Sequence, residues 1–274
     1  METKETKKKR EGKKSRGVSA GIVIGISLVL MVCFYIFILG DGSNFENGDN
    51  SNHPLPGNYW GIVYKGGPVV VTIMALLLTT FVLSVERWFA LSKARGKGNL
   101  LSFVFNVKKE VEAGNMKAAE ELCAKQEGSV AAIVSAGVKK YQDMETTTTP
   151  LSKEQKILAI QKDIEEATAL ELPTMQQNLP VIATISTLGT LLGLLGTVIG
   201  MIRAFSALAT TGAPDSVALA AGISEALVNT ALGIATGAVA IISYSFFTGK
   251  IDDMTYAVEE MGFSIGQTFV AKHT

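Results

Sequence analysis

The chain has 274 residues, of which 47% are hydrophobic and 18% charged, and its 25 basic and 25 acidic side chains cancel. The zero average hides a sharp segregation along the chain, and no nucleic-acid partner is expected. Two cysteines (Cys33, Cys123) and two histidines (His53, His273) exclude a disulfide framework and a metal site of ordinary ligand spacing, and no cofactor motif is present.

Residues 1–17 form a tail carrying eight lysines and arginines. An apolar run, 18–39, follows and is long enough to span a bilayer, which takes about 20 helical residues. A basic stretch before an apolar run is also the layout of a signal peptide. No small-x-small cleavage site closes this run; Gly40-Asp41-Gly42-Ser43 follows it, so a retained anchor is the expectation. Residues 40–66 connect to the next span, and their Asn-, Gly-, Asp- and Pro-rich part, 41–58, reads as a poorly ordered linker.

A second span, 67–88, opens at Gly67-Pro68, where proline suits the first helical turn. Residues 89–172 read as a helical domain. Helices are expected over 101–112, 116–126 and 129–142, with a linker at Thr146–Pro150. A further helix opens at the capping box Ser152-Lys-Glu-Gln155 and carries Ile157, Ile160, Ile164 and Ala167 at helical spacing. Pro173 and Pro180 are expected to bend that helix while it continues straight into a third span, 173–208. A turn, 209–215, leads to a fourth span, 216–248. Residues 249–274 then form an amphipathic helix with Ile251, Met254, Val258, Met261 and Ile265 on one face.

The expected fold is therefore all-α: a polytopic membrane helix bundle with long helices extending into a cytoplasmic helical domain. Of the 25 lysines and arginines, only Lys65 and Arg203 fall outside the segments that share one side of this topology. The positive-inside rule makes that side the cytoplasm, with both termini there.

The chemistry concentrates in the last two spans. Between Ser216 and Gly249 the only charged residue is Glu225. A carboxylate at membrane depth costs about 2.5–3.5 kcal/mol even on insertion scales, so such groups usually mark ion or proton paths. Glu225, Asn229, Thr236 and Ser243 fall within about 40° of one stripe at about 100° per residue. On the preceding helix Thr187, Thr190 and Thr197 add hydroxyls, and Thr190 and Thr197 lie about 20° from eclipsed. Gly189/Gly193, Gly196/Gly200 and Gly233/Gly237 are small-xxx-small pairs that let helices approach closely. The competing reading is structural: membrane threonines often bond back to their own carbonyls. Arg203 either snorkels to the surface or pairs with Glu225. A membrane enzyme would need clustered His, Asp or Cys at this depth, and the spans supply only Glu225, Arg203 and Cys33 beyond hydroxyls and amides.

The segments GLLGTVIGMIRAF (193–205) and ISEALVNTALGIATGAVA (223–240) together resemble the MotA/TolQ/ExbB proton-channel family, and within it the ExbB members. The stretch EAGNMKAAEELCAKQEGSVAAIVSAGVKKY resembles the family's small-residue helical pattern more weakly. The resemblance implies an inner-membrane homo-oligomer, a pentamer, around the span of an ExbD-like partner that supplies a membrane aspartate, with a TonB-like protein as output. It puts the family's threonines on Thr197 and Thr230 and its acid on Glu225. Thr230 lies about 140° from Glu225, so Thr230 is expected toward the pore and Glu225 nearer an interface. Thr187, Thr190, Asn229 and Thr236 are further seam candidates. A TolQ-like or motility stator subunit and a non-conducting scaffold are the alternatives. The family core has three spans, so the first span here has no family-derived role.

Overall fold

A computed structural model describes residues 19–147, 151–210 and 216–272. The basic tail 1–17 and most of the 209–215 turn lie outside the described residues. Helix α1 (Ala20–Phe34) runs into one π-turn over Tyr35–Leu39, and α2 (Tyr59–Lys65) is a short helix capped by Asn58, whose side chain accepts from Trp60 N and Gly61 N. Helix α3 (Gly67–Arg95) has proline in its first turn. Helices α4 (Leu100–Glu112), α5 (Met116–Gln126), α6 (Gly128–Thr146) and α7 (Lys153–Gln176) follow, then α8 (Leu179–Thr210) and α9 (Ser216–Lys272). Among the described residues no β-strand forms; Phe45 and Pro54 make one isolated antiparallel bridge.

Among the described residues four helices are long and apolar enough to cross a membrane: Ala20–Leu39 and stretches within α3, α8 and α9. The fold is an all-α polytopic bundle. Helix α1 buries only Val23 and Ser27, and Leu39 is buried in the π-turn that follows. The helix leaves Ile22, Ile26 and Val29 exposed, as a span at the lipid boundary requires. Helix α3 is the hub, touching α1, α8 and α9.

Helix α9 is unbroken for 57 residues, about 85 Å at 1.5 Å per residue, so the fourth span and the amphipathic tail are one rod. Ile251, Met254, Val258, Met261 and Ile265 are all at most 3% exposed and join the core of the helical domain with Val107, Val134, Tyr141 and Ile160. Tyr141 sets its ring edge-on against Phe269 at 5.1 Å. The capping box at Ser152 forms as expected: Gln155 N donates to Ser152 Oγ and Ser152 N to Gln155 Oε1.

Two expectations are corrected. Helix α7 does not run straight into the third span. It tolerates Pro173, then breaks at Gln177 (ψ 140°) and Asn178 (φ 65°) before α8 starts at Leu179. The break is held by Arg87, 1% exposed, whose Nη1 donates to the terminal carbonyls of Thr174 and Met175 at 3.2 and 3.3 Å and whose guanidinium pairs with Glu86. A helix end needs donors for its last carbonyls, and an arginine fork supplies them.

The linker 41–58 is also not loose. Asn44, 8% exposed, donates to Ile38 O and Leu39 O at the π-turn and accepts from Asn58 Nδ2. Lys65 Nζ donates to Asn50 O and Ser51 O. Turn-forming residues here build a compact knot through side-chain bonds to the backbone.

Candidate proton-path site

The site is built on the α8–α9 hairpin, where glycines remove the side chains that would hold the helices apart. A Cβ on Gly193 would meet Gly233 Cα at 3.0 Å, one on Gly200 would meet Ala226 N at 2.8 Å, and one on Gly196 would strike Asn229 Cβ at 2.3 Å. The small-xxx-small pairs are thus used inside one protomer. Across this contact Ser186 Oγ donates to Gly237 O at 3.2 Å, and Thr230 Oγ1 lies 3.3 Å from Gly193 O.

Glu225 is 8% exposed and lies nine residues into α9, about 14 Å along it. Arg203 Nη1 donates to Glu225 Oε1 at 2.5 Å. The two side chains differ in exposure, 52% for the arginine against 10% for the acid, so an open cation closes a buried anion. The backbone of Gly67, at φ +72°, lies over the same carboxylate: a Cβ there would be 3.1 Å from Oε1. One turn further, Asn229 is fully buried and its Nδ2 donates to Gly66 O and Glu225 O, both at 3.0 Å. Among the described residues its Oδ1 and the Oγ1 of fully buried Thr236 have no hydrogen-bond partner. Glu225, Asn229 and Thr236 therefore do share one buried face, as their spacing requires. That face looks inward, toward α8 and the α2–α3 turn, so Glu225 sits within the protomer.

The threonines sit elsewhere. Thr230 is half-buried and also bonds Ala226 O at 3.2 Å, four residues back. Thr197 is half-buried, donates to Leu194 O at 2.5 Å, and lines an open apolar groove of about 650 Å³ with Val198, Met201, Ile202 and Phe205. Thr190 is exposed and bonds Ser186 O, and Thr187 is exposed. Back-bonding is thus real at Thr190, Thr197 and Thr230. It commits each hydroxyl proton to the helix and leaves oxygen lone pairs free to accept from water or hydronium.

Sequence reasoning missed the α3 side of the site. There Gly66 O accepts from Asn229, and Gly66 and Gly67 roof the acid. The double glycine before Pro68 was the available signal, since a positive φ is easiest for glycine. Among the described residues no group of three His, Cys, Asp or Glu side chains could hold a metal ion.

Comparison with known proteins agrees with this architecture. Residues 125–260 match the profile of the MotA/TolQ/ExbB proton channel family. A biopolymer transport protein ExbB homolog from Methanothermobacter thermautotrophicus is 27% identical over 207 residues, covering 74% of this chain and 68% of that protein. Biopolymer transport protein ExbB of Pseudomonas putida is 28% identical over 197 residues, 70% of this chain and 57% of its own length. The Tol-Pal system protein TolQ of Pseudomonas aeruginosa is 34% identical over 84 residues, 31% of this chain and 36% of its own. The chain thus spans between about one third and two thirds of these relatives. With four spanning helices and the matched segment running through both hairpin helices, this multi-pass membrane protein belongs to the MotA/TolQ/ExbB proton channel family.

Proposed function

We propose that the chain is an ExbB-like subunit of a proton-motive-force-driven motor in the bacterial inner membrane, with both termini cytoplasmic. The observation that carries this is the asymmetry of α8 and α9. A buried acid with unpartnered Asn229 and Thr236 oxygens lies on the inner face, while Thr197 opens onto an apolar groove on the other. A groove of that lining fits an apolar helix from outside the protomer. An ExbD-like single-span partner carrying a membrane aspartate, surrounded by a homo-oligomeric ring (a pentamer by family resemblance), would occupy it. The chain itself performs no covalent chemistry. Thr197 and Thr230 offer hydroxyl lone pairs to transferred protons, Glu225 sets the local field, and Thr187 and Thr190 extend the polar surface.

The output by this reading is a TonB-like protein energising outer-membrane transport. The TolQ relative supports a second reading, a Tol-type subunit with the same proton chemistry. Co-purification separates the two, because the output partner differs while the channel does not.

The test is proton flux into liposomes holding both subunits. Thr197→Val, Thr230→Val and Glu225→Ala each reduce flux to the level without partner while the complex still assembles. Full flux in all three variants overturns the site, and no flux in the parent complex points to a scaffold that only holds helices together.

A further inference from the structure

The first span packs on α3, and the π-turn at its end packs on the short helix α2, which itself touches α9, so both lead to the acid of the hairpin. Tyr35 stands where α1 widens into the π-turn: Gly40 N donates to Tyr35 O at 2.9 Å, five residues back, a local device frequent at functional positions. The Tyr35 ring stacks on Tyr64 at 4.6 Å and 20°, and its hydroxyl donates to Tyr64 O at 2.9 Å. Phe45 from the knot sets its edge on Tyr64 at 5.3 Å, and Gly40 passes so close that a Cβ there would be 2.8 Å from Tyr64 Cε2. Tyr64 is thus clamped by α1, the π-turn and the knot together.

Two residues beyond Tyr64, the chain meets the site. Gly66 O accepts from Asn229, and Gly67 lies against the Glu225 carboxylate and 3.6 Å (from an added Cβ) from Arg203 Nη1. Tyr35 itself lies within electrostatic reach of Glu225 and Arg203. An apolar helix that only anchored a chain would need neither the hydroxyl bond to Tyr64 nor a knot bonded to its last carbonyls.

We propose that the first span is a positioning element for Glu225: Tyr35 locks the Tyr64–Gly67 turn, and the turn holds the acid on Arg203. The functional weight of this role rests on the proton-path reading of Glu225, but the geometry can be tested without it. The complex is reconstituted with its partner subunit, and the infrared band of the Glu225 carboxyl group is identified by its loss in Glu225→Gln. Tyr35→Phe keeps the ring stack and removes the donor. The expected result is a shifted Glu225 band and a fall in flux of about three- to tenfold, the range one hydrogen bond controls. Asn44→Ala, which releases the π-turn without touching Tyr35, should shift the band the same way. Ser27→Ala, buried on the same helix but far from the turn, should leave it in place.

An unmoved band in both Tyr35→Phe and Asn44→Ala overturns the proposal, as does an equal shift in Ser27→Ala. Flux that survives Glu225→Gln undiminished instead overturns the proton-path reading, while the band still reports on positioning.

Discussion

A carboxylate as enclosed as Glu225 survives only in company, because desolvation penalises its charged form. Arg203, the Gly67 backbone and the roofing turn supply that company. Half of the Arg203 side chain faces outward, so the pair is open to exchange in a way that a fully buried pair is not. At the same scale Cys123 shows burial acting without a partner. The thiol is 4% exposed and pushed up to about 12 by desolvation, with Glu120 adding to the shift. The thiolate is the nucleophile, so reactivity is suppressed at neutral pH and grows only as pH climbs toward that value. In a Cys33→Ser background, Cys123 should resist a water-soluble maleimide at neutral pH in the intact complex and react promptly once denatured. Prompt labelling of the folded complex would show the α5–α6 core to be open.

At the scale of elements, two junctions decide the arrangement. The first is the α8–α9 glycine contact. Gly193→Val forces branches into Gly233 and costs about 1–3 kcal/mol as overpacking. Most of the assembled complex should be lost on size exclusion, whereas Gly249→Ala, which meets nothing within 4 Å, should leave the yield intact. Equal yields would mean that the helices part without consequence. The second junction is the break between α7 and α8. Removing one partner of a buried pair leaves the other uncompensated, at about 3–5 kcal/mol. Arg87→Met should therefore lower the melting temperature of the complex markedly, and Arg87→Lys should restore little, since an ammonium cannot serve two carbonyls and Glu86 as a fork does. Adding Glu86→Gln to Arg87→Met should recover part of the loss. An unchanged melting temperature in Arg87→Met would remove the arginine from its capping role.

At the scale of the molecule, α9 joins the seam at Glu225 to the buried Met261 and Phe269 of the helical domain as one unbroken rod. Much of this was legible in the residues. Apolar runs of spanning length, the glycine spacing on α8 and α9, the isolated Glu225, and the amphipathic face from Ile251 to Ile265 are local patterns, and helices are made of local patterns. The inward stripe of Glu225, Asn229 and Thr236 follows from the same period. What composition misread was the 41–58 knot, because turn residues look alike whether their side chains bond to solvent or to a distant helix end. The α7–α8 break was hidden for a related reason: the donor that stabilises it, Arg87, lies nearly ninety residues away in the chain.

The amino-acid order alone thus marked the spans, the small-residue faces of α8 and α9, the family motifs and the acid, since each is a pattern within one stretch of helix. Only the folded chain decided that Arg203 closes on Glu225, that Gly66 and Gly67 roof it, and that Tyr35 reaches the same turn. Those contacts join residues 22 to 163 positions apart, and no periodicity encodes them; they exist because packing brings separate helices to one place.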